Sequence, residues 1–220
     1  STEYISRPPI TRRAQTGGLL LRYNRAKQSF LWPIIAPRFT GAIRVLETQG
    51  RADFSTTEIA QTAGVSIGSL YQYFGSNDAV MAELVLREHE RLLARTDEAA
   101  EVTKDMGIED AVRVLIHALA RGKPSRRISR ILEEEEERLP RTPDLIAVEA
   151  AIRTNSDALF YRLLNGHMPD DRIAIVTLDA FKIARGMFDG PQPDVDPNGP
   201  DALPERIVQV ILGYFDRMMG

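Results

Sequence analysis

Ala63 to Phe74 reads AGVSIGSLYQYF, with Gly64 and Gly68 set among Ser66 and Ser69 ahead of Tyr71, Tyr73 and Phe74. Small residues and hydroxyls suit a catalytic loop only when a base, a metal ligand or a phosphate cradle stands nearby, and this run offers none. They suit a polyanion better. Ser, Thr and Tyr hydroxyls donate to phosphate oxygens, and the carboxamide of Gln72 can pair with a base edge.

Other residues that could do chemistry are scattered. Glu133 to Glu137 are five consecutive acids, of which at most Glu133, Glu134 and Glu137 converge on one side of a helix, so a solvated face is expected. His89, His117 and His167 lie far apart with no ligand spacing, and no metal or cofactor is expected. His117, inside VLIHALA, reads as a core histidine that could also line a pocket. No cysteine occurs, which excludes disulfides, thiolate metal sites and cysteine nucleophiles and permits a cytoplasmic location. The longest uncharged run near the start, Gln28 to Pro37, is ten residues, against about 20 apolar residues for a membrane span. No membrane partner is expected. An α-helical enzyme would need convergent acid, base or nucleophilic groups, and no such motif is present.

The elements that must position the opening run are helical. From Arg38, Phe39, Ala42, Ile43, Val45 and Leu46 recur at helical spacing up to a stop at Gly50. Ser55-Thr56-Thr57-Glu58 has the form of a capping box, so a second short helix begins near Thr56 and stops at Gly64. Ser66 can cap a third, whose inward side is Ile67 or Leu70 with Tyr71 and Phe74, and Ser76 or Asn77 can cap a fourth running to about Thr96. Apolar spacing then predicts helices over Ile108 to Ala120, Arg126 to Leu139, Leu145 to Leu164, Asp171 to Phe188 and Leu203 to Met219. Breakers separate them, at Gly107, at Gly122 to Pro124, at Pro140 to Pro143 and at Gly190 to Pro200. The fold class is all-α.

Two short helices joined by Ala63-Gly64-Val65-Ser66 fit a helix-turn-helix, in which a tight glycine turn sets the second helix across the first. That helix would enter a major groove, and small residues at Gly68 and Ser69 let its backbone come close to the walls. Thr56, Thr57, Ser69, Tyr71 and Tyr73 would fix orientation on phosphates, Gln72 would read a base, and Ile67 and Gly68 would lie against the groove.

STTEIAQTAGVSIGSLYQYFGSNDAVMAEL, Ser55 to Leu84, closely resembles the DNA-binding module of the tetracycline-repressor-like (TetR) family of transcriptional regulators. The strong likeness covers Gly41 to about Leu93. Pro33 and Pro37 depart from it, standing where the family usually continues into its first helix, so that helix would start late, at about Pro37, or the segment before it is an extension. At the position of Asn77 the family commonly has a lysine that pairs with phosphate.

The resemblance implies three regions: a basic arm or extension at 1–37, the helix-turn-helix domain at 38–78, and a helical ligand-binding and dimerisation domain at 79–220. It implies a homodimer on a pseudo-palindromic double-stranded DNA operator, released or tightened by a small apolar or aromatic effector; a ligand-insensitive repressor is the alternative. Candidate pocket walls are Leu84, Leu115, Leu119, Ile131 and Val148, with His117 and Asn155 as orienting groups. The last two helices would form the dimer interface through Ile173, Val176, Ala180, Ala184 and Met187 and through Ile207, Ile211, Tyr214 and Met218. Charge agrees with this division. Residues 1–78 carry nine Lys and Arg against five Asp and Glu, whereas the whole chain is net −3, so a basic head that attracts phosphate precedes an acidic body.

Overall fold

The computed structural model describes residues 40–71, 74–121, 123–190, 199 and 202–220. All regular structure among them is helical, apart from one isolated bridge between Asn165 and Met168. The helices are α1 (40–48), α2 (Thr56–Ala63), α3 (Ile67–Tyr71), α4 (Asn77–Val102), α5 (Ile108–Ala120), α6 (Arg126–Arg138), α7 (Pro143–Leu164), α8 (Asp170–Asp189) and α9 (Ala202–Met219). Among the described residues no helix is long and apolar enough to cross a membrane. The expected basic arm at 1–37 lies outside the described residues.

Two compact units divide the chain, one reaching to Leu86 and including Ile131–Ala147, the other comprising Arg87–Arg130 and Val148–Gly220. In the first, Ala42, Val45 and Leu46 of α1, Ile59 and Ala60 of α2, Leu70 of α3 and Val80, Met81, Leu84 and Val85 of α4 are all buried. Close approach requires a glycine here. A Cβ on Gly41 would stand 2.8 Å from the Ala63 Cβ and 3.1 Å from the Ile59 carbonyl oxygen, so α1 can meet α2 only without a side chain there. Gly64 ends α2 at φ 66°, the left-handed region that Gly adopts without steric cost, and the Val65 amide then donates to the Ala60 carbonyl at 3.0 Å.

In the second unit α9 packs against α5 and α8. One apolar cluster joins Val112, Leu115 and Ile116 of α5, Phe160, Leu163 and Leu164 of α7, Ile173, Val176 and Ala180 of α8, and Ile207, Ile211 and Phe215 of α9. Phe160 and Phe215 meet edge to face, ring centres 5.8 Å apart, a favoured aromatic geometry.

Two helix limits differ from expectation by more than one residue. α4 continues past Thr96 to Val102, because Ala99 is buried and the alanines and glutamates after Thr96 are good helix formers that carry no large apolar signal. Carbonyls at its end and just past it are also satisfied: Arg162 donates to the Ala100 oxygen at 3.3 Å and to the Thr103 oxygen at 3.0 Å. α7 starts at Pro143 rather than Leu145, with the Thr142 hydroxyl accepting from the Leu145 amide at 3.2 Å. A proline read as a breaker is in fact the first helical residue, where its missing N–H costs nothing.

Candidate nucleic-acid interface

The helix-turn-helix is assembled from its caps outward. The Ser55 hydroxyl accepts from the Glu58 amide at 3.2 Å at the start of α2, and the Ser66 hydroxyl accepts from the Ser69 amide at 3.1 Å at the start of α3. The Glu58 carboxylate accepts from Gln49 at 3.4 Å. α2 and α3 pack together, with Leu70 fully buried and Phe74 nearly so.

Anchoring by Leu70 and Phe74 decides which way α3 faces. Ile67, at 43% exposure, and Tyr71, at 52%, point outward rather than into the core, and Gly68 is exposed between them. Of the alternatives open from sequence, Leu70 is therefore the inward residue, and Tyr71 does not share its face. Gln72 and Tyr73 lie outside the described residues. Thr57 is exposed and Ser69 half-buried.

Thr56 is buried, and its hydroxyl donates to the Tyr71 oxygen at 3.1 Å. That bond fixes the outward tyrosine against α2. The Thr56 amide donates to the Asn77 side-chain oxygen at 2.8 Å, while the cap of α4 falls to Ser76, whose hydroxyl accepts from the Ala79 amide at 3.1 Å. A lysine at position 77 would have no acceptor to offer Thr56.

A charged cluster ties α6 to the module. Arg51, between α1 and α2, donates to Glu135 at 2.7 Å and approaches Asp78 at 3.4 Å. Arg138 donates to Asp78 and to Glu135, each at 2.6 Å. Glu135 is only 5% exposed, which corrects the expectation of a wholly solvated acidic run. Burial alone would raise the Glu135 carboxyl, but the two guanidinium groups outweigh it and hold it below the usual carboxylate range. The Asp78 carboxyl is likewise held low, chiefly by its bond to Arg138. Sequence reasoning missed this cluster and the Asn77 bond; the acidic run was visible, but nothing local joins it to Arg51, 84 residues away.

The candidate pocket residues are divided between the units. Leu84 and Ile131 are buried in the first; Leu115, His117, Leu119, Val148 and Asn155 belong to the second. His117 is half-buried with Nε2 3.7 Å from a Glu205 carboxylate oxygen that also pairs with Arg113. The Asn155 amide donates to Asp97. Of the expected dimer residues, Ile173, Val176, Ala180, Ala184, Ile207 and Ile211 are buried in the core of their own chain, which leaves little of their surface for a partner. Met187, Tyr214 and Met218 are partly buried against that core, and the Tyr214 hydroxyl bonds to Asp179 at 2.8 Å.

Residues 39–84 match the signature of bacterial regulatory proteins of the tetR family. No curated protein matches the chain significantly. A TetR-family transcriptional regulator from Streptomyces coelicolor is similar in fold with a TM-score of 0.55 at 23% identity, over 84% of this chain and 98% of that one. A tetR-family regulatory protein from Rhodococcus RHA1 gives 0.62 at 21%, over 84% and 96%. The fatty acid degradation regulator FadR from Bacillus halodurans gives 0.54 at 14%, over 86% and 95%.

Proposed function

We propose, from the match of residues 39–84 to the signature of the tetR family of bacterial regulatory proteins, that this chain is a ligand-responsive transcriptional repressor. The module makes it a DNA-binding regulator in kind; repression, effector and dimer are the finer reading. One observation carries the DNA contact: α3 is pinned by Leu70 and Phe74 while Ile67, Gly68 and Tyr71 are presented outward. Thr57, Ser69 and Tyr71 then meet phosphates, Gln72 and Tyr73 continue the contact, and Thr56 acts by holding Tyr71. The cytoplasm is the proposed location, since the DNA is there.

A homodimer places two such helices in successive major grooves about 34 Å or a multiple apart, so the operator is an inverted repeat. The outer faces of α8 and α9 suit the dimer contact, because Ile175 is 58% exposed and Val210 44%. The effector is a small apolar or aromatic molecule held in the helical body, with Leu115, Leu119 and Val148 as walls and His117 and Asn155 as polar partners. It shifts DNA affinity only by binding the two states of the protein unequally.

The test is selection of bound sites from random DNA, followed by metabolite titration on the recovered duplex. Inverted repeats and a metabolite that alters binding are expected. Absence of any preferred site would sink the DNA reading, and binding that no effector alters would leave a constitutive repressor.

A further inference from the structure

We propose that α3 selects its operator through the 5-methyl group of thymine, with Ile67 as the apolar reader. This rests on the DNA-binding reading above and names what that site recognises. From Ile59 to Asn77 the chain holds no Lys, Arg, Asp or Glu. Guanine is read most often by a bidentate Arg or Lys and cytosine by a carboxylate; α3 carries neither.

What α3 does present is a branched hydrocarbon beside open space. Ile67 stands at its first position, 43% exposed. At Gly68 an added Cβ would meet no atom of the described residues within 4 Å, so among them the surface next to Ile67 is a shallow, unfilled notch. Tyr71, the other large exposed side chain of α3, has its hydroxyl tethered to Thr56 at 3.1 Å. The thymine methyl is the one apolar group on the major-groove edges of the four bases. An isoleucine pressed on any other edge strips water from polar atoms and returns no hydrogen bond, whereas over a methyl it buries hydrocarbon against hydrocarbon.

The experiment uses duplexes that the full chain recovers from a random-sequence pool, each thymine being replaced in turn by deoxyuridine, which lacks only the methyl. Wild type, Ile67→Ala and Ile67→Val are titrated on each duplex by fluorescence anisotropy, and circular dichroism checks that the exposed substitutions leave the fold intact. One thymine per half-site should matter: its replacement weakens wild type about fourfold, the worth of one buried methyl. Ile67→Ala should bind the two duplexes alike, with Ile67→Val between. Equal losses in wild type and Ile67→Ala, or no loss at any thymine, would overturn the inference and leave the DNA reading standing. If wild type bound recovered and unselected duplexes equally, that reading itself would fall, and the inference with it.

Discussion

Gly68 is required neither by its backbone nor by packing against the described residues, since its φ is not positive and an added Cβ would meet none of their atoms within 4 Å. A glycine within a helix costs roughly 0.5–1 kcal/mol relative to alanine. Gly68→Ala should therefore raise the thermal midpoint by about 1–4 °C while weakening operator binding, because the new methyl occupies the notch beside Ile67. Calorimetry and anisotropy on one preparation check both halves; unchanged DNA affinity would mean that this face does not enter the groove. Asn77 gives the opposite trade. Asn77→Lys removes the acceptor for the Thr56 amide, a loss of about 1 kcal/mol by analogy with helix caps. It also adds a charge near phosphate, so unselected DNA should bind more tightly to a less stable protein, and a variant as stable as wild type would show that the Asn77 bond contributes nothing.

Among the elements, α4 and α6 bear the charges that brace the helix-turn-helix. Asp78 lies in the first turn of α4, and Glu135 and Arg138 in the last turn of α6. Glu135→Gln leaves two guanidinium groups facing a neutral amide and should cost about 1–3 kcal/mol. Both carboxyls have folded pKa values below their ordinary ones, so their contribution is full above the ordinary carboxylate range and fades as pH falls through the lowered values. Stability measured from pH 6 downward should drop less steeply in Glu135→Gln than in wild type; parallel curves would contradict the pairing. The helix spans themselves were largely legible, because caps and apolar spacing act within a turn or two. Ser55, Gly64 and Ser66 each do what their types predict. The end of α4 was not, since Ala99 is held by burial, and the start of α7 was not, since a proline can open a helix as readily as break one.

For the whole molecule, the interface and the core have to be told apart. Ile211 is buried in its own chain, so Ile211→Asp puts an unpaired charge into the second unit at a cost of several kcal/mol and should unfold it. Val210→Glu lies one residue away on the exposed side. It should leave helicity unchanged and shift sedimentation from dimer to monomer; a Val210→Glu protein that remains dimeric would move the contact off this face. The basic residues Arg7, Arg12, Arg13, Arg22, Arg25 and Lys27 predict a further effect. Removing 1–37 should weaken binding to all DNA sequences alike and flatten its salt dependence, since fewer counterions are released. A loss confined to the operator would assign those residues to base reading instead.

The sequence by itself determined that the chain is helical, where α2 and α3 begin and turn, and that Ser55 to Leu84 resembles the DNA-binding module of the tetR family. Those properties depend on residues within a few positions of one another, through caps, a left-handed glycine and the helical repeat. Only the tertiary structure decided that Leu70 faces in while Ile67 and Tyr71 face out, that Glu135 is buried against Arg51, and that Ile207 and Ile211 lie inside their own chain. An amphipathic stripe records that one side of a helix is covered. Which helix covers it, from the same chain or another copy, depends on contacts between residues far apart in sequence, and local spacing carries no information about them.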